Sequence, residues 1–436
     1  MVAQAPLVYL LIEFGSREFE SKALLATVLA KRGYGVVIGL QWSVVTCGQH
    51  LPPGAMLFKS FNALHHPAMR IARQCGHKVF TLEEELLAHI EETAFAMFYL
   101  EGTFDLVDGV FSNGEFEMQK LKELNGGKGK IDVTGNLRVD MLKPEYRGFY
   151  NRDVAALRAR FGEFILVNTN FGTIHSTWGA EKLKSLQVDC GLIKPDDPKT
   201  LRVFEDQEDF ENASKAGMLA AIKELCRRRP NQRIVVRPHP GEAMRYWDGV
   251  FDDYPNVAVV REGSHVPWTL ACKLLMHTSC TTGFEAHVAD TPTFSLVMLP
   301  SWITESFISN LLNPVFDDPI KMVDAVEAYL NDGKRVAGKL TTADAARYVF
   351  NIGGRSGVDR LAQALTKGLP APKGKMVLPA VTGLQKVPWA KDKFGISTEQ
   401  AVDVFQRLLG VLGDKPGVEL SVIADDVFYV SPVAGR

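Results

Sequence analysis

An α/β protein made of two doubly wound halves is predicted, and three observations predict it. Short runs of β-branched and aliphatic residues recur along the chain with helix-patterned segments between them. That rhythm lapses once, around Pro144 to Asn151, and then restarts. The 436 residues are about three times the usual single-domain size, which leaves room for two such series.

Leu7–Ile12 is apolar throughout, the pattern of a strand covered on both faces, and Glu20–Arg32 carries apolar residues at helical spacing up to Gly33. Val36–Ile38 then returns as a strand, so the chain opens with a β-α-β unit of a parallel sheet. Ala55–Phe58, a helix over His66–Gln74, Lys78–Phe80, Gly109–Phe111 and Ile131–Val133 continue the series. After the lapse, Phe164–Asn168 restarts it. A helix over Ala213–Arg228 follows, with strands at Arg233–Arg237, Val257–Val260, Leu274–Met276 and Thr293–Val297. Beyond Gly353 the rhythm changes: Val358–Thr366 is helical, Gly368–Gly374 reads as a linker, Ser397–Leu412 is an amphipathic helix, and Val418–Val430 alternates like a strand or hairpin. The expected division is residues 1–150, 160–353 and a C-terminal helical and strand extension over 354–436, with the first two parts facing a cleft.

Composition excludes several classes of function. With 49 basic and 51 acidic side chains, the net charge of −2 offers no whole-chain reason to bind nucleic acid. No cationic segment precedes Leu7–Ile12, and no apolar stretch is long enough to span a bilayer. The six cysteines form no C-x-x-C pair or spaced Cys/His set, so neither zinc nor a disulfide framework is expected and the reading is cytoplasmic. P-loop, H-E-x-x-H and G-x-S-x-G motifs are all missing. Asn125–Lys130 is glycine-rich, but it follows a helix and precedes a strand, which makes it a turn.

The chemistry is expected at strand ends, where open α/β sheets bind ligands. Arg233–Glu242 delivers Arg237 and His239 there, with Pro238 and Pro240 limiting the backbone. A guanidinium fork matches phosphate oxygens, and an imidazole can donate to phosphate or protonate a leaving group; a stiff Pro-His-Pro turn is the plain alternative. Lys273–Glu285 reads as a strand, a hydroxyl-rich turn and a helix start, so Thr278, Ser279, Thr281 and Thr282 surround amides that favour an anion, with Glu285 in the first helical turn and in reach of ribose hydroxyls. Serine and threonine also cap helices without any ligand. Asn168 and Asn170 lie in the turn Val167–Gly172, whose glycine allows close approach. In the first half, the turn Glu13–Glu18 brings a carboxylate and Arg17 to the cleft, and Thr81–Glu85 is an acidic cluster whose members should raise each other's pKa.

At these residues the chain resembles the bacterial surface carbohydrate biosynthesis family, glycosyltransferase-like proteins with the two-Rossmann GT-B fold. The likeness spans roughly residues 7 to 330. It rests on the order of Ser16–Glu18 with Leu24–Ala26 and Arg32–Gly33, then Leu82–Glu85, Gly135–Asp140, Val167–Phe171, Arg237–Pro240 and Thr278–Ser279. More distantly, the acidic, His-Pro and hydroxyl motifs resemble those of CMP-sugar-dependent sialyl- and Kdo-transferases and of CDP-glycerol glycerophosphotransferases. The resemblance implies a metal-independent glycosyltransferase without a cofactor, taking a nucleotide-sugar donor, in surface polysaccharide biosynthesis. His239 and Thr278–Thr282 would hold the donor phosphate, Arg17 and Arg138 would face the acceptor, and a first-half carboxylate would be the base. A carbohydrate or lipid-linked acceptor would bring the protein into peripheral contact with the inner membrane face. The family's acidic cluster is followed by glycine where this chain has Leu86, so Glu84 and Glu18 compete for the role of base. A CDP-alcohol transferase, a sugar-nucleotide epimerase and an inactive scaffold are the other functions this fold would allow.

Overall fold

The computed structural model describes residues 6–87, 89, 90, 102–189, 193–196, 198–372, 378, 381, 393–415 and 417–433. The chain forms two compact units. One comprises Met1–Leu87, Glu92–Phe149 and Ala346–Arg436, and the other Ala88–Glu91 and Tyr150–Ala345.

In the first unit, β1 (Leu7–Ile12), β2 (Gly35–Leu40), β3 (Gly54–Phe58), β4 (Lys78–Leu82), β5 (Gly109–Ser112) and β6 (Ile131–Val133) pair in parallel in the order β2-β1-β3-β4-β5-β6. The chain leaves β1 towards β2 on one side and resumes at β3 on the other. The C-terminal ends of β1 and β3 therefore flank the topological switch point. In the second unit, β7 (Phe164–Asn168), β8 (Arg233–Arg237), β9 (Val257–Val259), β10 (Leu274–His277), β11 (Thr293–Leu296) and β12 (Val315–Phe316) follow the order β12-β11-β10-β7-β8-β9. All its pairs are parallel, and its switch point lies between β7 and β10. β1 and β7 are buried along their whole length, as aliphatic strands covered on both faces must be.

The tail belongs to the first unit. Val418–Val430 is a hairpin, β13 (Val418–Ala424) and β14 (Val427–Pro432), and β14 adds antiparallel to the edge of β2. Helix Thr398–Leu412 starts with a capping box of Ser397 and Gln400. Phe394, Phe405 and Phe428 of the tail surround Phe19 edge-on at ring-centroid distances of 6.0, 6.2 and 6.1 Å. Gly15 is required beneath them, because a Cβ there would lie 1.8 Å from the Phe394 carbonyl oxygen. Of the predicted linker Gly368–Gly374, residues 373 and 374 lie outside the described residues.

Two predicted helices begin earlier than their apolar spacing suggests. The second-unit helix spans Pro198–Arg228, its charged opening anchored by buried Phe204 and Phe210. The first helix runs Gly15–Lys31 and so includes Arg17 and Glu18, which the sequence places in a turn. No helix among the described residues is long and apolar enough to cross a membrane.

Candidate functional site

Polar residues gather at the switch point of each unit. In the first unit Glu13 follows β1 and Lys59 follows β3, and because these strands are neighbours the two side chains meet at 2.5 Å. Lys59 Nζ also lies 2.7 Å from Glu85 and 3.6 Å from Glu18, and against its burial these carboxylates raise its pKa. Lys22, fully buried one helical turn after Glu18, donates to Leu11 O at 2.7 Å and to Glu18 Oε2 at 3.1 Å, and pairs with Glu84 Oε1 at 3.0 Å.

This arrangement separates the two competing bases. Glu18 accepts from the Glu13 amide at 3.0 Å, and although burial opposes it, Lys22 and Lys59 bring its pKa down to about 2. A carboxylate so well satisfied is an anchor and a poor proton acceptor. Arg17 does not pair with Glu18, its neighbour in the chain, because successive helical residues point about 100° apart. It reaches Glu85 at 3.2 Å, and against burial Arg17 and Lys59 hold that carboxyl well below the usual range. Glu84 is raised, as the sequence predicts, but by burial first, with Lys22 opposing and Glu18 adding repulsion; Glu83 and Glu85 are not the cause. Its Oε2 is buried without a hydrogen-bond partner. Leu86, which stands where the resembled proteins carry glycine, is buried against Phe61, Val110 and Leu121. Arg138 is buried in the helix Leu137–Met141, where Asn136 caps the first turn.

Glu83, the first acid of the Glu83–Glu85 run, is turned elsewhere. Burial lifts it to about 7 while it accepts from Ser60 Oγ at 2.5 Å and from the Glu85 amide at 2.8 Å. It thereby fixes the loop after β3 to the loop after β4.

In the second unit, Asn168 ends β7 and pairs in register with His277 at the end of β10. Both amide atoms of Asn168 and the Thr278 hydroxyl are buried without a hydrogen-bond partner. Unpaired polar atoms of this kind are costly unless a ligand or water completes them. Ser279 follows at φ 51°, the left-handed region a side chain rarely adopts, and Asn310 Nδ2 donates to its Oγ at 2.8 Å to hold it there. Asn170 reaches the Ser279 carbonyl at 3.4 Å. The helix Thr281–Val288 starts at this strand end, which puts the positive end of its dipole there. Thr281 and Thr282 are half-buried, and Thr282 Oγ1 lies 2.8 Å from Cys280 Sγ. Beneath the turn, His277 is buried with neither ring nitrogen hydrogen-bonded, and burial lowers its pKa to about 3.

Two predicted donor residues point away from this constellation. Glu285 lies beyond the first turn, because the helix begins at Thr281, and its buried carboxylate faces His265 Nε2 at 2.7 Å instead of a ribose. Arg237 donates through Nη2 to the carbonyls of Glu262 at 2.9 Å and Gly263 at 3.1 Å, and stacks on Trp268 with 5.0 Å from Cζ to the ring. Burial lowers the guanidinium's pKa to about 10. It braces a loop where sequence suggested a phosphate fork. His239 is exposed, and its Nδ1 accepts from the Gly241 amide at 3.1 Å, which places the proton of the neutral ring on Nε2.

Sequence reading missed Lys22, Lys59 and Glu242. Lys59 stands directly after a strand, the position where such sheets keep functional groups, and that was a usable signal. Lys22 sits four residues after Glu18, at ion-pair spacing inside an otherwise apolar helix face. Among the described residues no group of three or more His, Cys, Asp or Glu side chains is arranged to hold a metal ion.

Two doubly wound Rossmann-like units, each with polar groups at its switch point, define a GT-B type fold. The chain matches no protein-family model and no curated protein. Its fold is shared with solved UDP-GlcNAc 2-epimerases. One from Methanocaldococcus jannaschii, in complex with UDP-GlcNAc and UDP, is 14% identical with a TM-score of 0.52, over 83% of this chain and 100% of that chain. Another from Neisseria meningitidis, bound to UDP-GlcNAc, is 12% identical with a TM-score of 0.50, over 84% and 100%. A third from Rickettsia bellii is 9% identical with a TM-score of 0.50, over 84% and 99%. At these identities the likeness establishes the fold. It reaches UDP-sugar enzymes, and the finer resemblance to CMP-sugar transferases goes without support from it.

Proposed function

We propose that this protein is a sugar-nucleotide enzyme, a glycosyltransferase that moves a sugar from a pyrimidine-nucleotide donor to a carbohydrate or lipid-linked acceptor in surface polysaccharide assembly. The observation that carries the reading is the set of buried, unpartnered atoms at the second unit's switch point: the Asn168 amide and the Thr278 hydroxyl beside a helix N-terminus. In this reading the nucleotide's phosphate takes those donors together with the Nε2–H of His239, and charge on the departing phosphate is stabilised without a metal. Glu84 Oε2 accepts the proton of the acceptor hydroxyl, its pKa lifted by burial towards working pH. The sugar–phosphate bond breaks as the new glycosidic bond forms, and the nucleotide leaves with the bonding electrons.

A sugar-nucleotide epimerase is the second reading, favoured by the named function of the solved structures that share the fold. One experiment separates the two. UDP, CDP and CMP at about 100 times a dissociation constant should each stabilise a matching site by about 2.7 kcal/mol, a shift of several degrees in melting temperature. Asn168→Ala should abolish the shift. The corresponding nucleotide sugar is then incubated alone and with oligosaccharide or lipid-linked acceptors. Sugar transfer that requires acceptor supports the transferase, and conversion of the donor sugar alone supports the epimerase. Failure of all three nucleotides to shift the melting temperature overturns both.

A further inference from the structure

We propose that Glu242 is a positioning residue for nucleotide binding, a single buried carboxylate that ties the turn after β7 to the turn after β8. The inference rests on the nucleotide reading above and assigns the part that holds its two loops together.

Five donors converge on this side chain. Oε1 accepts from Thr169 Oγ1 at 2.5 Å, the Phe171 amide at 3.1 Å and the His239 amide at 3.0 Å. Oε2 accepts from Trp247 Nε1 at 3.0 Å, with His175 Nδ1 at 3.4 Å. Thr169 and Phe171 flank Asn170 in the first turn, and His239 heads the second, so one oxygen atom bridges the loops that carry Asn168 and His239. The backbone reinforces the link: the Thr177 amide donates to Gly241 O at 3.1 Å, and the Ala243 amide to His175 O at 2.8 Å. Glu242 is fully buried, and against that burial its donors lower its pKa, so it stays ionised and its bonds stay charge-assisted.

Only glutamate serves here. Glutamine keeps one acceptor oxygen, and its amide would set an N–H against the Trp247 N–H, leaving a buried donor unsatisfied. Aspartate is one methylene short of donors that come from two strands' loops. The arrangement does no chemistry of its own: Glu242 is buried beneath the loops, and its effect reaches a ligand through Asn168 and His239.

The second unit contains its own control. Glu211 is also buried and accepts from the Thr173 amide at 2.9 Å and the Ile174 amide at 3.0 Å, gripping the far end of the same loop without touching His239. Full-length Glu242→Gln and Glu211→Gln are compared by calorimetric titration with UDP, CDP and CMP, and by the side-chain ¹⁵N resonances of His239 without nucleotide. Glu242→Gln should weaken nucleotide binding at least about tenfold, the scale of a lost charge-assisted hydrogen bond, and move the His239 resonances. Glu211→Gln should lower the melting temperature while leaving affinity within about threefold and His239 unmoved. If Glu242→Gln does not fold, Thr169→Val, which deletes one of the five donors at constant shape, should shift the same two readouts in the same direction. Equal affinity losses in the two glutamine variants, or unmoved His239 resonances, overturn the proposal. Wild-type protein that binds no nucleotide overturns the functional reading instead, and the His239 resonances still decide the role of Glu242.

Discussion

Replacing Lys22 with methionine tests the electrostatic account of the first unit's cluster most directly. Lys22 Nζ is fully buried and holds Glu18 Oε2 at 3.1 Å and Glu84 Oε1 at 3.0 Å. Methionine fills nearly the same volume, so packing is retained while two buried carboxylates lose their shared cation. Breaking a buried pair by removing one partner costs about 3–5 kcal/mol, because the remaining charge has no water to turn to. Lys59 lies 3.6 Å from Glu18 and covers part of that loss, which favours the lower end of the range. The readout is amide exchange of β1, since two units need not unfold together and a single global midpoint would mix them. Protection of Leu7–Ile12 should fall on the order of 10²-fold or more, at about 1.4 kcal/mol per decade. The pH dependence has a definite sign. In the wild type Glu18, at about 2 when folded against an ordinary 4.5, contributes stability above pH 4.5 that is lost as pH falls towards 2. Without Lys22 both carboxyls rise, the folded state binds the extra protons, and the deficit should shrink as pH is lowered through those raised values. A loss under about 1 kcal/mol, or one that is the same at pH 5 and pH 8, would refute the argument.

Glu84→Gln should abolish sugar transfer while leaving the nucleotide-induced melting shift intact, whereas Glu18→Gln should chiefly lower stability; normal transfer by Glu84→Gln removes it as the base. Gly283→Ala would put a Cβ 2.2 Å from His277 Nε2, with both residues buried. Despite the gain of about 1 kcal/mol in helix propensity, it should destabilise the second unit by about 1–3 kcal/mol. Tryptophan-monitored urea unfolding measures this, and His277→Ala in the same chain should recover part of the loss. A stabilised Gly283→Ala would mean that the ring moves freely.

The two strand series were legible because each strand is a local apolar run bounded by polar turns, and the lapse near Pro144 marked where one series ended. The same local logic identified Asn168, Thr278 and Ser279 as strand-end residues, and set the start of the tail helix at Ser397. What a strand end does depends on its neighbours, and neighbours are set by crossover connections that no local pattern encodes. β7 and β10 are far apart in the chain, yet their adjacency brings the unpartnered Asn168 and Thr278 atoms to one switch point. The β1–β3 contact joins Glu13 to Lys59 in the same way. Charge partners also escaped the sequence: Arg17 and Glu18 are adjacent in the chain, but helical geometry sends one to Glu85 and the other to Lys22 and Lys59. Burial, likewise a property of the packed molecule, raises Glu84, whereas Lys22 and Lys59 overcome it at Glu18 and bring that carboxyl down; packing also made Arg237 and Glu285 into braces. The sequence determined which segments become strands and which residues stand at their ends; the packing of those strands determined which of the residues meet, because electrostatic partners are chosen by distance through space in a medium from which water is excluded.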